Sequence, residues 1–327
     1  VTAEHARTVV VTGATSGIGR VTALALARAG FAVTGTATTP EKAATLVEEA
    51  GRAGLTVQTE VFDVRDVDAT AEAFARISAR TGGGPWAVVN NAGYAQAGSV
   101  EDVSDEQARA QLDVNVLAPV RIIRLVLPGM RARGGGRIVN ISSFGGLIST
   151  PFIGWYAASK FALEALSDAL RLELAQFGVS VVLIEPGGFN SGIWQRGVEQ
   201  LPAPQDSAYA HLYGFADAMM RYADGLPGPE PVARAVVAAL RSARPRARYP
   251  VGADVRIGTA METLLPVAAA DYVKAVRYNL HTPRSRAGRI TAGLLYRLTS
   301  ARSANDSRPT TDRRSTNDSR STNDSRP

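Results

Sequence analysis

From residue 7 to about residue 240, short runs of β-branched residues alternate with longer segments of helical period. The run 7–13, Arg-Thr-Val-Val-Val-Thr-Gly, is followed by a helical stretch over 19–30 that stops at Gly30. Strand-like runs recur at 31–37, 56–64, 86–93, 136–143 and 179–187, with a short last one at 247–252. Helical segments occupy 40–54, 67–81, 105–133, a stretch opening at Gly154, and 230–243. The strand runs are apolar on both faces, so both faces need cover, which is the condition of a parallel sheet with helical crossovers. Right-handed crossovers then predict an α/β fold, a doubly wound parallel sheet with helices on both faces.

The pattern places one domain over 1–255. It loosens after Pro186, and six of the 21 aromatic residues fall within 189–222, beside Met219 and Met220. Such a segment makes either a satellite core or an apolar lid, here expected over about 189–230. Residues 256–301 read as a basic, partly helical extension. Residues 302–327 repeat Asn-Asp-Ser-Arg three times and hold no Val, Leu, Ile or Met, so they are expected to be disordered.

Charge follows this division. Residues 1–270 carry 24 basic and 25 acidic residues, so the net charge of +6 belongs to the C-terminal end and not to the fold. That end reads as a solvated basic tail, with weak membrane association as the alternative, and no nucleic-acid partner is expected. The absence of cysteine excludes disulfides and thiolate catalysis. Three scattered histidines, His5, His211 and His281, show no metal-ligand spacing, so no metal site is expected. No signal-peptide pattern and no long apolar run are visible, which predicts a cytoplasmic protein.

Two stretches carry chemistry. Thr12–Gly19 reads Thr-Gly-Ala-Thr-Ser-Gly-Ile-Gly, between the first strand and the first helix. Glycines allow a tight turn and close approach of backbone to a pyrophosphate, which the helix N-terminus favours. The spacing is G-x-x-x-G-x-G, not G-x-G-x-x-G. The second stretch opens the helix at Gly154, with Tyr156 and Lys160 one turn apart on one face. A phenol ionises near pH ~10, and a nearby cation favours the phenolate. An asparagine inside a helical segment, Asn115, is a mildly unfavourable choice that hints at a role.

These stretches, with Asn90-Asn91-Ala92-Gly93, Ser143 and Pro186-Gly187, resemble the short-chain dehydrogenase/reductase family over roughly residues 6–250. The resemblance implies a Rossmann-type single domain. It implies Tyr156 as general acid/base, Lys160 as its tuning cation and ribose ligand, Ser143 as holder of the substrate oxygen, and Asn115 as support for a water-linked proton relay. It implies a cofactor held by Gly13, Thr15, Ser16, Gly17, Ile18 and Gly19 of the glycine turn. Thr38, Asp63 and Val64 would flank the adenosine; Asn90, Asn91, Ala92 and Gly93 would line the cofactor and brace the sheet. Pro186, Gly187, Phe189 and Ser191 would lie by the nicotinamide, with Tyr156 and Lys160 shared between cofactor and catalysis. Ser191 stands where the family usually has threonine and keeps the hydroxyl.

Cofactor preference follows from the end of the second strand. Family members that use NAD usually carry an acid there, and this chain has Ala37, then Thr38 where NADP-dependent members often have arginine. NADP(H) is therefore expected over NAD(H), with Arg20 a possible source of charge. The run 150–194 most resembles the branch of 17β-hydroxysteroid and retinol dehydrogenase-like enzymes, which implies a lipophilic alcohol or ketone. Ile148, Phe152, Tyr94 and Trp194 are candidate pocket residues. A ketoreductase acting on a carrier-bound or polyketide-like substrate is the alternative enzyme, and a non-catalytic NADP-binding regulator the alternative outside catalysis. By analogy with the family, a homodimer or homotetramer is expected.

Overall fold

A computed structural model describes residues 7–193, 201, 207–213, 225–278 and 280. Seven parallel strands form one sheet in the order β3-β2-β1-β4-β5-β6-β7. They are β1 (Thr8–Val11), β2 (Ala32–Ala37), β3 (Val57–Val61), β4 (Ala87–Asn90), β5 (Gly136–Ile141), β6 (Val179–Pro186) and β7 (Arg248–Val251). Between them run α1 (Gly17–Arg28), α2 (Pro40–Arg52), α3 (Val67–Thr81), α4 (Asp105–Leu112), α5 (Ala118–Ala132), α6 (Gly154–Leu174) and α7 (Glu230–Arg241). After β7 comes α8 (Ala253–Leu264). The sheet is thus the doubly wound, Rossmann-type one that the alternation implies.

Strand alternation explains why both faces are apolar. Val9, Val11, Val89 and Ile184 point to one side and pack with Leu26 of α1, Leu46 of α2 and Leu240 of α7. Val10, Val88, Ile138 and Val181 point to the other and pack with Phe74 of α3 and with Ile122 and Met130 of α5. Chain direction across the sheet reverses between β1 and β4, whose register pairs Val11 with Val89. In such sheets a crevice opens at the C-terminal strand ends at this switch point.

The chain divides into two compact units between Leu264 and Leu265. The sequence pattern put the boundary at 255, whereas α8 runs across that position. In the second unit the described residues form one helix, α9 (Val267–Arg277). The repeat tail 302–327, the extension beyond residue 280 and most of the expected lid, with Trp194, lie outside the described residues. Among the described residues no helix is long and apolar enough to cross a membrane.

The expected continuous helix over 105–133 is interrupted. A five-residue π turn, Asp113–Leu117, separates α4 from α5, and the Ala118 N–H reaches back to the Asp113 carbonyl. The cause is in the sequence. Pro119 stands four residues after Asn115 and has no N–H to offer the Asn115 carbonyl. A wider turn accommodates that missing bond, and such turns often mark functional sites.

Candidate active site

A cleft of about 1070 Å³ lies at the switch point. One wall is the glycine turn. Thr12 Oγ1 accepts from the backbone N–H groups of Asn91 and Ala92, both at 2.9 Å. The Asn91 amide donates back to the carbonyls of Thr12 (2.9 Å) and Gly13 (3.2 Å). The Gly13 N–H donates to Thr36 Oγ1 at 3.1 Å. These bonds tie the ends of β1, β2 and β4 together beneath the turn.

The turn demands glycine for two reasons. Gly17 has φ +50°, and a Cβ there would lie 2.3 Å from the Ser191 carbonyl oxygen. At Gly19 a Cβ would lie 2.2 Å from the Gly13 carbonyl oxygen and 2.4 Å from Asn91 Nδ2. The turn is therefore a cradle with no room for a side chain at positions 17 and 19, at the N-terminus of α1, which suits a pyrophosphate.

Most of the sequence-picked residues meet at this cleft. Gly13, Thr15, Ser16, Ile18 and Gly19 line it, as do Thr38, Asp63 and Val64. So do Ala92, Gly93, Ser143, Tyr156 and Lys160, with Pro186, Gly187, Phe189 and Ser191 opposite. Gly17, Asn90 and Asn115 stand behind the wall. Asn90 braces the sheet and does not line the cleft: its amide donates to Asn140 Oδ1 at 2.8 Å, and the Asn140 amide donates to Ser167 Oγ at 2.8 Å. Asn115, in the π turn, donates to the Tyr94 carbonyl and to Ser159 Oγ, both at 3.0 Å, and accepts from the Tyr94 N–H at 3.3 Å. It fixes the loop after β4 against α6.

Tyr156 and Lys160 form the floor. Both are buried, at 5% exposure each. Burial pushes the Tyr156 phenol up to about 12, and a hydrogen bond with Ser143 pulls it back only in part. Ser143 Oγ also accepts from the Gly145 N–H at 3.0 Å, which fixes its rotamer. Lys160 Nζ donates to the Ile141 carbonyl at 2.9 Å and lies 5.8 Å from the centre of the Tyr156 ring. Burial draws this ammonium down to about 8, against the Glu164 carboxylate one turn along. The phenol is set by burial against Ser143, and Lys160 does not make it acidic here.

Beyond the core pair, several expectations need adjusting. Asp63 is held by Arg65, whose Nη2 donates to Oδ2 at 2.7 Å, and this bond keeps its carboxyl below the usual carboxylate range. The N-cap of α3 is Asp66, which accepts from the Ala69 N–H at 2.9 Å, so Asp63 is free of that role. Arg20 pairs with Glu49 at 3.1 Å and does not reach the cleft. Lys42, absent from the sequence-based set, does line the cleft and donates to Thr38 Oγ1 at 3.4 Å. Of the pocket candidates, Tyr94 lines the cleft, whereas Ile148 and Phe152 are buried elsewhere. Phe152 adopts φ +66° and packs edge-on against Tyr213 at 5.5 Å.

Three comparisons bear on this arrangement. The sequence model of the short chain dehydrogenase family matches residues 7–201. The chain belongs to the short-chain dehydrogenase family. It is 35% identical to the uncharacterised oxidoreductase YusZ of Bacillus subtilis over 268 residues, which is 80% of this chain and 94% of YusZ. It is 34% identical to human 17-beta-hydroxysteroid dehydrogenase type 1 over 256 residues, 75% of this chain and 77% of that enzyme. A metagenomic short-chain oxidoreductase solved in complex with NADP superposes with a TM-score of 0.61 at 28% identity, covering 75% of this chain and 96% of the other.

Membership in this oxidoreductase family, with a relative solved in complex with NADP, supports binding of a nicotinamide cofactor. Asn91, within the Asn90–Gly93 run expected to line the cofactor and brace the sheet, stitches the glycine turn shut. Besides Lys42, Asp254 was missed from sequence. Asp254 accepts from the Gly188 N–H at 2.7 Å and pins the Pro186-Gly187-Gly188 loop to the start of α8. That contact spans 66 residues and leaves no local signal.

Proposed function

We propose that this protein transfers a hydride between NADP(H), in preference to NAD(H), and the carbonyl or carbinol carbon of a lipophilic substrate. The observation that carries the reading is the Ser143–Tyr156–Lys160 group on the floor of a cleft whose other end is the glycine turn, closed to a Cβ at Gly17 and Gly19. The nicotinamide supplies or accepts the hydride when bound. The chain's residues do the rest. Ser143, locked by the Gly145 N–H, presents its hydroxyl with Tyr156 to one substrate oxygen. Tyr156 gives that oxygen a proton in reduction and takes one in oxidation. A phenol raised by burial donates readily only where developing negative charge is matched by nearby positive charge, which Lys160 provides. Asn115, through its Tyr94 and Ser159 bonds, keeps α6 in register with the loop after β4.

The lipophilic assignment is supported by the wall around Tyr156. Ala95 and Ile153 pack behind its ring, and Ile193, packed against them, lines the cleft. Val114, Ala110 and Tyr94 continue the same cleft. A screen of apolar ketones and secondary alcohols, following reduced nicotinamide absorbance, tests the reading. Absence of turnover across that panel, with cofactor bound, would sink it.

For the cofactor, Ala37 removes the repulsion an acid would exert on a 2′-phosphate. Among the described cations lining the cleft, Arg65 is forked onto Asp63 and Lys160 lies on the floor, which leaves Lys42 beside Thr38 at the β2 end. Lys42→Met is expected to weaken NADPH binding about tenfold, roughly the loss of one charge-assisted contact, and to leave NADH binding within about twofold. Fluorescence titration of both cofactors measures this. Equal effects on the two would remove Lys42 from the 2′-phosphate.

A further inference from the structure

Behind Lys160, on the side away from the cleft, α6 carries a second charged residue into the interior. Glu164 follows Lys160 by one helical turn and is 6% exposed. Lone buried carboxylates are costly, so this one needs partners. Arg248 of β7 supplies one: its Nη1 contacts Glu164 Oε2 and also donates to Glu185 Oε1 of β6 at 2.8 Å. Nη2 of the same arginine donates to Asp168 Oδ2 at 2.7 Å. Asp168 in turn binds Arg171 at the protein surface. The Ser142 hydroxyl faces Glu164 from the end of β5.

Two things distinguish this cluster from an ordinary structural ion pair. First, burial raises the Glu164 carboxyl, with Ser142 and Arg248 opposing that rise, and the charges of the described cluster balance when Lys160 is counted. Glu164, Glu185 and Asp168 are matched by Arg248, Arg171 and the Lys160 ammonium. Second, among the described residues Lys160 forms no ion pair, and the carboxylate whose charge acts on it is Glu164, one helical turn along. Lys160 Nζ is bonded to the Ile141 carbonyl, Tyr156 lies on its cleft side, and Ser159 beside it is occupied with Asn115. Glu106 of α4, and Asp63, Arg65 and Lys42 at the β2–β3 end, line the same cleft. Residues four apart on a helix have Cβ atoms about 5–6 Å apart, close enough to couple strongly in a buried setting.

We propose that Glu164, clamped by Arg248, is a positioning residue for the reaction: it is the counter-charge that keeps the buried Lys160 protonated through the neutral range. This rests on the oxidoreductase reading above, which needs a cationic Lys160 beside Tyr156. The sign follows directly. Burial draws the lysine toward loss of its proton, and Glu164 opposes that. Neutralising Glu164 removes the opposition, so Lys160 loses its proton at a lower pH. Activity and cofactor affinity then fail earlier as pH rises.

The test compares wild type with Glu164→Gln, Glu164→Met and Glu164→Asp in the full chain. Arg248 keeps Glu185 and Asp168 in every variant, so the arginine is not left unpaired. Methionine, neutral and of similar length, covers the case in which the glutamine amide finds no partner and that variant fails to fold. NADPH affinity by fluorescence and kcat/KM are followed from pH about 6.5 to about 9.5. Both neutral variants should shift the alkaline limb down by about one pH unit, tenfold in proton concentration, in both readouts. Glu164→Asp keeps the charge and should restore the wild-type limb even where kcat itself changes. Alkaline limbs of folded Gln or Met variants that coincide with wild type would overturn the proposal and leave Glu164 a structural residue. Failure of the wild type to bind NADPH at any pH would instead overturn the oxidoreductase reading.

Discussion

Tyr156→Phe is expected to lower turnover roughly a thousandfold while NADPH affinity stays within about threefold of wild type. The substitution removes one oxygen and little else. The ring stays packed against Ala95 and Ile153, so the fold should hold. Ser143 Oγ keeps the Gly145 N–H and is not left unpaired. A phenyl ring has no proton to give or take, so the loss belongs to the proton transfer. Kinetics on a substrate found by the carbonyl and alcohol screen would show kcat falling with KM little changed. Turnover above about a tenth of wild type would mean that another group moves the proton, and the role assigned to Tyr156 would fall.

How legible this arrangement was in sequence depends on the range of the interaction. The strands were readable because Val9, Val10 and Val11 alternate between two apolar faces, which only a doubly covered sheet permits. The glycine turn and the Tyr156–Lys160 pair were readable because their geometry is local: one turn of helix, one strand-to-helix corner. The π turn was missed, although Pro119 four residues after Asn115 announces it, because helical periodicity passes smoothly over a single widened turn. Lys42 is not legible from the residue directly after Ala37, because its stem reaches back to Thr38 from the first turn of α2. Glu164, Arg248 and Asp254 could not have been found this way. Glu164 meets Arg248 across 84 positions, and Asp254 meets Gly188 across 66. On its own helix, Glu164 reads as one more polar residue in an amphipathic pattern.

Gly19→Ala should weaken NADPH binding by about a hundredfold and destabilise the fold by roughly 1–3 kcal/mol. Most glycine-to-alanine changes inside a helix go the other way, because alanine holds the helical backbone at lower entropic cost. Position 19 is an exception for a steric reason. The new methyl would sit 2.2 Å from the Gly13 carbonyl oxygen and 2.4 Å from Asn91 Nδ2. Neither neighbour is a flexible side-chain end. The carbonyl is backbone, and the Asn91 amide is already bonded to the Thr12 and Gly13 carbonyls. Relief therefore requires the turn to move away from β4, which opens the cradle where a pyrophosphate would lie. Gly51→Ala is the matched control. It lies in α2 with nothing within 4 Å of its added Cβ, so it should stabilise by about 0.5–1 kcal/mol and leave cofactor binding unchanged. Thermal melts and NADPH titrations on the two variants separate the effects. If Gly19→Ala bound NADPH as wild type does, the turn would not be the cofactor cradle. If both variants lost stability alike, helix propensity and not the clash at Gly13 would be at fault.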